Sequence, residues 1–462
     1  MKPLWTAAEL AAATGGIPAD AFDCSGVAFD SREIGAGDLV FALKGEESDG
    51  HNFVDQAFRN GAAGAVVSEP TAHKHIAVSN TMDALNALGA AARSRADAKI
   101  IGVTGSAGKT GTKEALYAAL DRSSRGHAHC SVKSYNNHVG VPLSLSRMPQ
   151  SSKFGVFEMG MNHPGELREL TALVRPDVAI VTTIAPAHIG FFKDENEIAI
   201  AKAEIFEGLT AGGTAIIPMD SPHCAVLRSA ALKCAANIVT FGFDKNADIH
   251  VVDYVKSACG GSLITAKLQS GSICYTLSQP GEHWIANSLA VLAAVEAVGA
   301  DLAAAGLAMA EMGGLAGRGA QHILQTSGGE VRLIDESYNA NPASMAATIS
   351  ELGKTNALRR IAVLGAMKEL GAQSDRYHVD LAGPLAAANV DYAILVGKEM
   401  QILVEKLNQG LEGPRKFDHC NDAKEASDLL HHYLRAGDTV LVKGSNSMGL
   451  SAIVNTMLRG EN

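Results

Sequence analysis

The chain is short of three things: surplus positive charge, paired cysteines and long apolar runs. Its 39 lysines and arginines are outnumbered by 49 acidic residues, giving a formal charge of -10. That balance excludes the broad basic face a nucleic-acid partner requires, while leaving room for a local pocket that takes phosphates. Seven cysteines, Cys24, Cys130, Cys224, Cys234, Cys259, Cys274 and Cys420, are scattered, odd in number and without a CxxC pair. Neither a disulfide framework nor a zinc site is expected, and the compartment reads as reducing. No stretch reaches the apolar length of a membrane span, and "MKPLWTAAELAAATGG" lacks the basic-then-apolar build of a signal peptide. The expected location is the cytoplasm, without membrane insertion. Aromatic residues are also scarce, at 5% against 47% hydrophobic residues overall. What remains is an Ala- and Gly-rich globular composition, neither disordered nor fibrous.

A chain of 462 residues exceeds what one core organises, and roughly three domains is the natural expectation. Short apolar runs alternate with amphipathic stretches: "AKIIGVTG", "FGVFEMG", "DVAIVTTI", "GTAIIP" and "NIVTFGF" read as buried strands with helices between most of them. This is the signature of a largely parallel sheet. The alternation restarts after the glycine-rich "GGLAGRGAQ" with "VRLIDES", "RRIAVLGAM", "DYAILVG" and "DTVLVKGS". Ahead of both lies "FDSREIGAGDLVFALKGEESDGHNF", with strand-like pieces, followed by "FVDQAFRNGAAGAVV", read as helical. Boundaries near 97 and 312 divide the chain into 1–97, 98–312 and 313–462.

Chemistry concentrates in "TGSAGKTGTKEAL", Thr104 to Leu116. A strand leads into it, Gly105 and Gly108 permit close backbone approach, and a helix follows. Amides of Gly105, Ser106, Ala107 and Gly108 at a helix N-terminus would cradle phosphates, with Lys109 on their charge and Thr110 on Mg²⁺. The strict P-loop spacing asks for glycine where Val103 stands, so an ordinary Gly-rich turn is the competing reading. Glu158 ends one strand and His188 follows another. In an open parallel sheet, such positions converge with Lys109 and Thr110 on one ligand crevice, where they suit Mg²⁺. Read singly, the plainer readings, a capping Glu and a hydrogen-bonded loop His, are the ones to prefer. Lys202 projects from a helical stripe of Ile198, Ile205, Phe206 and Leu209. Either the lysine snorkels to water, or burial lowers its pKa and the neutral amine takes up CO₂ as a carbamate.

The motifs "TGSAGKTGTK", "SYNNHVGVP", "FEMGMN", "APAHIGFF", "AKAEIF", "GEHWIANSLA", "GLAGRGA", "DESYNANPASM", "LGAMKELG" and "LVKGS" occur in an order that resembles the Mur ligase family over nearly the whole chain. The resemblance implies a small N-terminal α/β substrate domain, a central P-loop ATPase domain with a mostly parallel sheet, and a C-terminal Rossmann-like domain. It implies ATP-dependent joining of D-alanyl-D-alanine to UDP-N-acetylmuramoyl-tripeptide through an acyl phosphate, by a monomer. The segment "DESYNANPASM" points to that dipeptide, and no "DNPR"-type motif for single-residue addition is present. Carried onto this chain, Glu158 and His188 serve Mg²⁺ and Lys202 is the carbamylated lysine. Asn287 lies beside the adenine, Arg318 reaches the terminal phosphate, and Asp335 meets the ribose. Ser31, Arg32, Asp49, Gly50 and His51 grip the UDP end, Asn136 and Asn137 lie near phosphates and peptide, and Tyr338, Asn339 and Asn341 line the C-terminal side. The chain departs from the family pattern at Gly111, at Ala366 and from Asn446 to Ala452.

Overall fold

Runs with no polar face can be stable only where both sides are covered, and here each such run becomes an interior strand. The computed structural model describes residues 2–45, 48–234, 237–257, 261–326, 328–410 and 412–460, so Cys259 lies outside the described residues. Three principal sheets follow one another along the chain. The first pairs Gly26–Ala28, Asp38–Phe41, Gly64–Val67 and His75–Ala77 in parallel, with Ile17–Pro18 antiparallel at one edge. The second holds nine strands and the third six.

The N-terminal sheet corrects one expectation. Within "FVDQAFRNGAAGAVV" only Val54–Arg59 is an α-helix, and Gly64–Val67 is an interior strand buried at every position. Gly61, at φ +107°, stops the helix in a conformation that side chains avoid, and the buried run behind it needs cover on both faces.

In the nine-stranded sheet the strand Lys99–Thr104 lies between Phe154–Glu158 and Val178–Val181, all parallel. Thr214–Pro218 and Asn237–Gly242 continue in parallel on one side, and Ala128–Cys130 closes the other. The chain from Lys99–Thr104 passes through the helix Lys109–Ser124 to the far edge, while later strands add on the opposite side. Strand order therefore reverses at Lys99–Thr104, where an open α/β sheet leaves a crevice beyond its strand ends. An antiparallel extension, Ile249–Lys256, Ser262–Lys267 and Ser272–Leu277, lengthens this sheet. Its alternating, half-exposed pattern falls outside a reading based on fully apolar runs.

The third sheet runs in the order Ala320–Thr326, Gly329–Glu336, Asp438–Lys443, Arg359–Gly365, Tyr392–Val396, Lys416–Cys420. Only its first pair is antiparallel. One apolar cluster joins the second and third units, with Ile189 and Phe192 from one and Met345, Met367 and Leu370 from the other. Among the described residues all cysteines are free, and no helix is long and apolar enough to cross a membrane.

Candidate active site

The turn after Lys99–Thr104 is shaped by what it has no room for. Gly105 sits at φ +149°, and a Cβ there would stand 1.9 Å from the Thr182 hydroxyl. Gly108 caps the following helix at φ +81°, where a Cβ would meet the Asn287 amide at 2.7 Å. Glycine alone lets the loop pass so close to its neighbours. The loop is laced to the segment after Val178–Val181: Ser106 N donates to Thr183 O at 2.8 Å, Thr182 Oγ1 to Ala107 O at 2.6 Å, and Ser106 Oγ to Ala185 O at 2.8 Å. One rigid unit thus carries both the loop and His188.

A cavity of about 590 Å³ opens above this unit. Ser106, Ala107, Gly108, Lys109, Asn136, Glu158, His188 and Asn287 line it from the central unit, and Arg318, Tyr338, Asn339 and Asn341 from the C-terminal one. Gly105 and Thr110 stand behind the wall. The Thr110 hydroxyl donates to Glu158 Oε2 at 2.7 Å and Asn136 Nδ2 to Glu158 Oε1 at 2.7 Å. Glu158 is buried, and among the described residues its carboxylate accepts only from these two neutral donors. A buried carboxylate that forms no ion pair among the described residues, beside a threonine hydroxyl, is a hard-oxygen donor set that fits Mg²⁺.

Lys109 donates to Gly105 O at 2.7 Å, and burial lowers its pKa, with Glu158 opposing and Arg318 adding to the shift. Lys202 is 1% exposed, so it does not snorkel. Burial pushes its pKa well below the usual lysine range, and the positive charge of Lys109 pushes it further. No hydrogen bond or ion pair reaches its amine among the described residues.

Arg318 crosses from the glycine-rich joint into the cavity. Its Nη2 donates to Ser134 Oγ at 3.0 Å, and its guanidinium lies 4.2 Å from the centre of the Tyr338 ring. Asn341 caps the helix Pro342–Gly353, and its Nδ2 reaches Ser106 O at 3.3 Å, tying the C-terminal unit to the phosphate loop. Asp335 lies outside the cavity: its carboxylate accepts from Gly317 N at 2.6 Å and from the Ser337 hydroxyl at 2.6 Å, bracing the joint. Asn137 turns away to accept from Gly140 N at 2.9 Å.

The N-terminal candidates are apart from this cavity. Ser31 is buried, Arg32 is exposed in an ion pair with Asp30, and the His51 ring joins Asp49 Oδ1 at 2.6 Å to Ser68 N at 3.0 Å. Gly50 donates its amide to Leu43 O at 2.8 Å. Sequence reasoning missed the Glu33 carboxylate, which pairs with Lys133 and accepts from the Tyr135 hydroxyl at 3.0 Å, so bridging the first and second units. It also missed buried Lys113, which donates to the carbonyls of Ser131 and Lys133 at 2.8 Å each and fixes the loop bearing Ser134 and Asn136. A second lysine four residues after Lys109 was the available signal. Trp284 and Lys443 line the cavity without having been singled out, and Ala366 and 446–452 do not line it.

Three family models match the chain: "Mur ligase family, catalytic domain" over residues 23–124, "Mur ligase middle domain" over 103–295, and "Mur ligase, glutamate ligase domain" over 321–446. The UDP-N-acetylmuramoyl-tripeptide–D-alanyl-D-alanine ligase of Escherichia coli is 33% identical over 93% of each chain. The chain belongs to the Mur ligase family. Among solved structures, MurF from Acinetobacter baumannii superposes on this Mur ligase with a TM-score of 0.84 at 31% identity, covering 99% of both chains. MurF from Thermotoga maritima, solved with ADP, gives 0.76 at 25% identity over 94% of this chain and 97% of its own. The three-domain α/β architecture with mostly parallel sheets agrees with these likenesses.

Proposed function

We propose that this Mur ligase joins D-alanyl-D-alanine to UDP-N-acetylmuramoyl-tripeptide with ATP, yielding the pentapeptide, ADP and phosphate for cell-wall precursor synthesis. It acts as a cytoplasmic monomer. Residues 1–97 take the UDP-muramyl end, 98–312 the ATP and 313–462 the dipeptide side. The observation that carries the reading is the single cavity shared by the phosphate loop, Glu158, His188, Arg318 and Tyr338. Residues from both sides of the glycine-rich joint meet there, as a reaction between a nucleotide and two further substrates requires.

The tripeptide's terminal carboxylate attacks the γ-phosphorus of ATP and ADP leaves. The free amine of D-alanyl-D-alanine then attacks the acyl phosphate carbon, losing a proton as phosphate departs. Lys109 and Arg318 face the equatorial phosphate oxygens, where negative charge spreads during transfer and fixed cations contribute most. Asn287 receives the base, and the amides of 105–108 hold the inner phosphates. Mg²⁺, held by Thr110, Glu158, His188 and a carbamylated Lys202, supplies further neutralisation of phosphate charge. The carbamate forms when the neutral Lys202 amine adds to CO₂ and releases a proton, turning an unpaired buried amine into an oxygen anion beside Lys109. Docking of the C-terminal unit over the cavity keeps water from the acyl phosphate.

The test is phosphate release from ATP with muramyl tripeptides ending in diaminopimelate or lysine, each with D-alanyl-D-alanine, with D-alanine or with neither. Release that needs the dipeptide, with one tripeptide preferred, supports the reading. Equal release with single D-alanine, or release indifferent to any acceptor, would sink it.

A further inference from the structure

Across the boundary between the central and C-terminal units, His188 faces Glu369. The imidazole Nδ1 and the carboxylate Oε2 form a short hydrogen bond between residues 181 positions apart. Both residues hold left-handed backbone conformations, at φ +59° and +63°. Neither is glycine, and non-glycine side chains rarely adopt this region unless their surroundings impose it.

The surroundings do so here. Gly190 N donates to Glu369 O at 3.1 Å. A Cβ on Gly190 would meet Gly371 N at 2.7 Å, and one on Gly371 would meet the Gly190 Cα at 2.7 Å. The two loops therefore interlock backbone to backbone, through glycines that admit no side chain. On either side Ile189 and Leu370 are buried in the cluster shared by the two units. An ordinary surface ion pair needs none of this. His188 also lines the cavity, and its Nε2 has no hydrogen-bond partner among the described residues.

We propose that Glu369 is a positioning residue for His188: docking of the C-terminal unit fixes the imidazole with Nδ1–H on Glu369 and Nε2 toward the cavity. The phosphate site is then complete only in the docked molecule. A neutral ring held this way offers its Nε2 lone pair to a cation, whereas an untethered ring divides its proton between both nitrogens. The reach of the idea to turnover rests on the ligase reading above. The orientation of the ring does not.

The experiment compares wild type, Glu369→Ala and Glu369→Gln in the full-length protein. The glutamine amide oxygen still accepts from Nδ1–H, so this variant separates geometry from charge. Glu369→Ala is expected to lower kcat by about 10–100-fold, with KM for the muramyl tripeptide nearly unchanged, and Glu369→Gln to recover most of that loss. Two readouts stand apart from turnover. Long-range ¹H–¹⁵N spectra of imidazole-labelled protein, with His188 assigned through His188→Gln, should show the Nδ1–H tautomer in wild type and Glu369→Gln and a mixture in Glu369→Ala. Mn²⁺ binding in the presence of ADP, followed by electron paramagnetic resonance, should weaken about tenfold in Glu369→Ala. Unchanged kcat in Glu369→Ala overturns the proposal. So does a lower kcat with an unaltered His188 tautomer and unaltered Mn²⁺ binding, which would leave the pair a simple tie between units. If the wild-type protein fails to use D-alanyl-D-alanine, the ligase reading fails, and the tautomer spectra still decide the role of Glu369.

Discussion

Lys202 carries the sharpest chemistry of any single residue. Among the described residues no anion pairs with its buried amine, which also feels the charge of Lys109, so it is unfavourable as a cation, and the proposed carbamate would remove that cost. Lys202→Ala should reduce turnover by roughly 100-fold or more. If the lost group is the proposed carbamate, added acetate should restore part of the activity and a short amine should not; rescue by the amine would show that the residue works as a cation. His129 supplies a second prediction, about stability. Burial pushes its pKa down to about 4, against a hydrogen bond to Ser144 O and aided by the charge of Arg147. The folded value lies below the roughly 6.5 of an unfolded histidine, so the native state refuses a proton that the unfolded chain accepts. Stability is full above about pH 6.5 and falls toward pH 4, by on the order of 3 kcal/mol from this residue. His129→Gln should flatten that acid limb in melting temperature measured against pH. The apolar neighbours Ile198, Ile205 and Phe206 made the burial of Lys202 legible in the sequence. Glu369 was illegible, because its partner is reached only through the docking of two units.

At the scale of elements, the helices Lys109–Ser124 and Glu282–Ala297 meet through matched steps. Gly108 and Gly111, one turn apart, receive Asn287 and Trp284, also one turn apart; a Cβ on Gly111 would stand 2.5 Å from the Trp284 ring. A threonine at Gly111 would have no space beside this tryptophan. Gly111→Thr should destabilise the fold by roughly 1–3 kcal/mol, seen as an earlier melting transition, and Trp284→Leu in the same chain should recover part of it. Additive losses in the double variant would disprove the packing argument. Most strands of the catalytic sheets were readable as apolar runs bounded by turns. The strand Gly64–Val67 was not, because its short Ala-Val-Val run extends the apolar spacing of the preceding helix and only the backbone of Gly61 separates the two, and the hairpin strands Ile249–Lys256 and Ser262–Lys267 hide behind exposed Val252, Val255 and Leu263.

Over the whole molecule, one covered cavity brings residues from 106 to 443 together, while Arg32 stays outside it. Arg32→Ala is expected to raise KM for the muramyl nucleotide about tenfold with KM for ATP unchanged, by loss of one charge-assisted contact. A rise confined to ATP would contradict the role given to residues 1–97. The order of the third sheet has a consequence for synthesis. Its interior strand, Asp438–Lys443, comes later in sequence than every strand it shares the sheet with, yet it separates Gly329–Glu336 from Arg359–Gly365. The N-terminal sheet is assembled from contiguous early chain and is free to form during translation. The C-terminal one stays split into two pieces with bare inner edges until the final strand slides between them. A message cut short before codon 438 thus yields a product with exposed edges on both sides of the gap, and Lys443, which lines the cavity, never arrives. Copies that stop short of Asp438–Lys443 would therefore present the open edges that proteolysis and aggregation act upon.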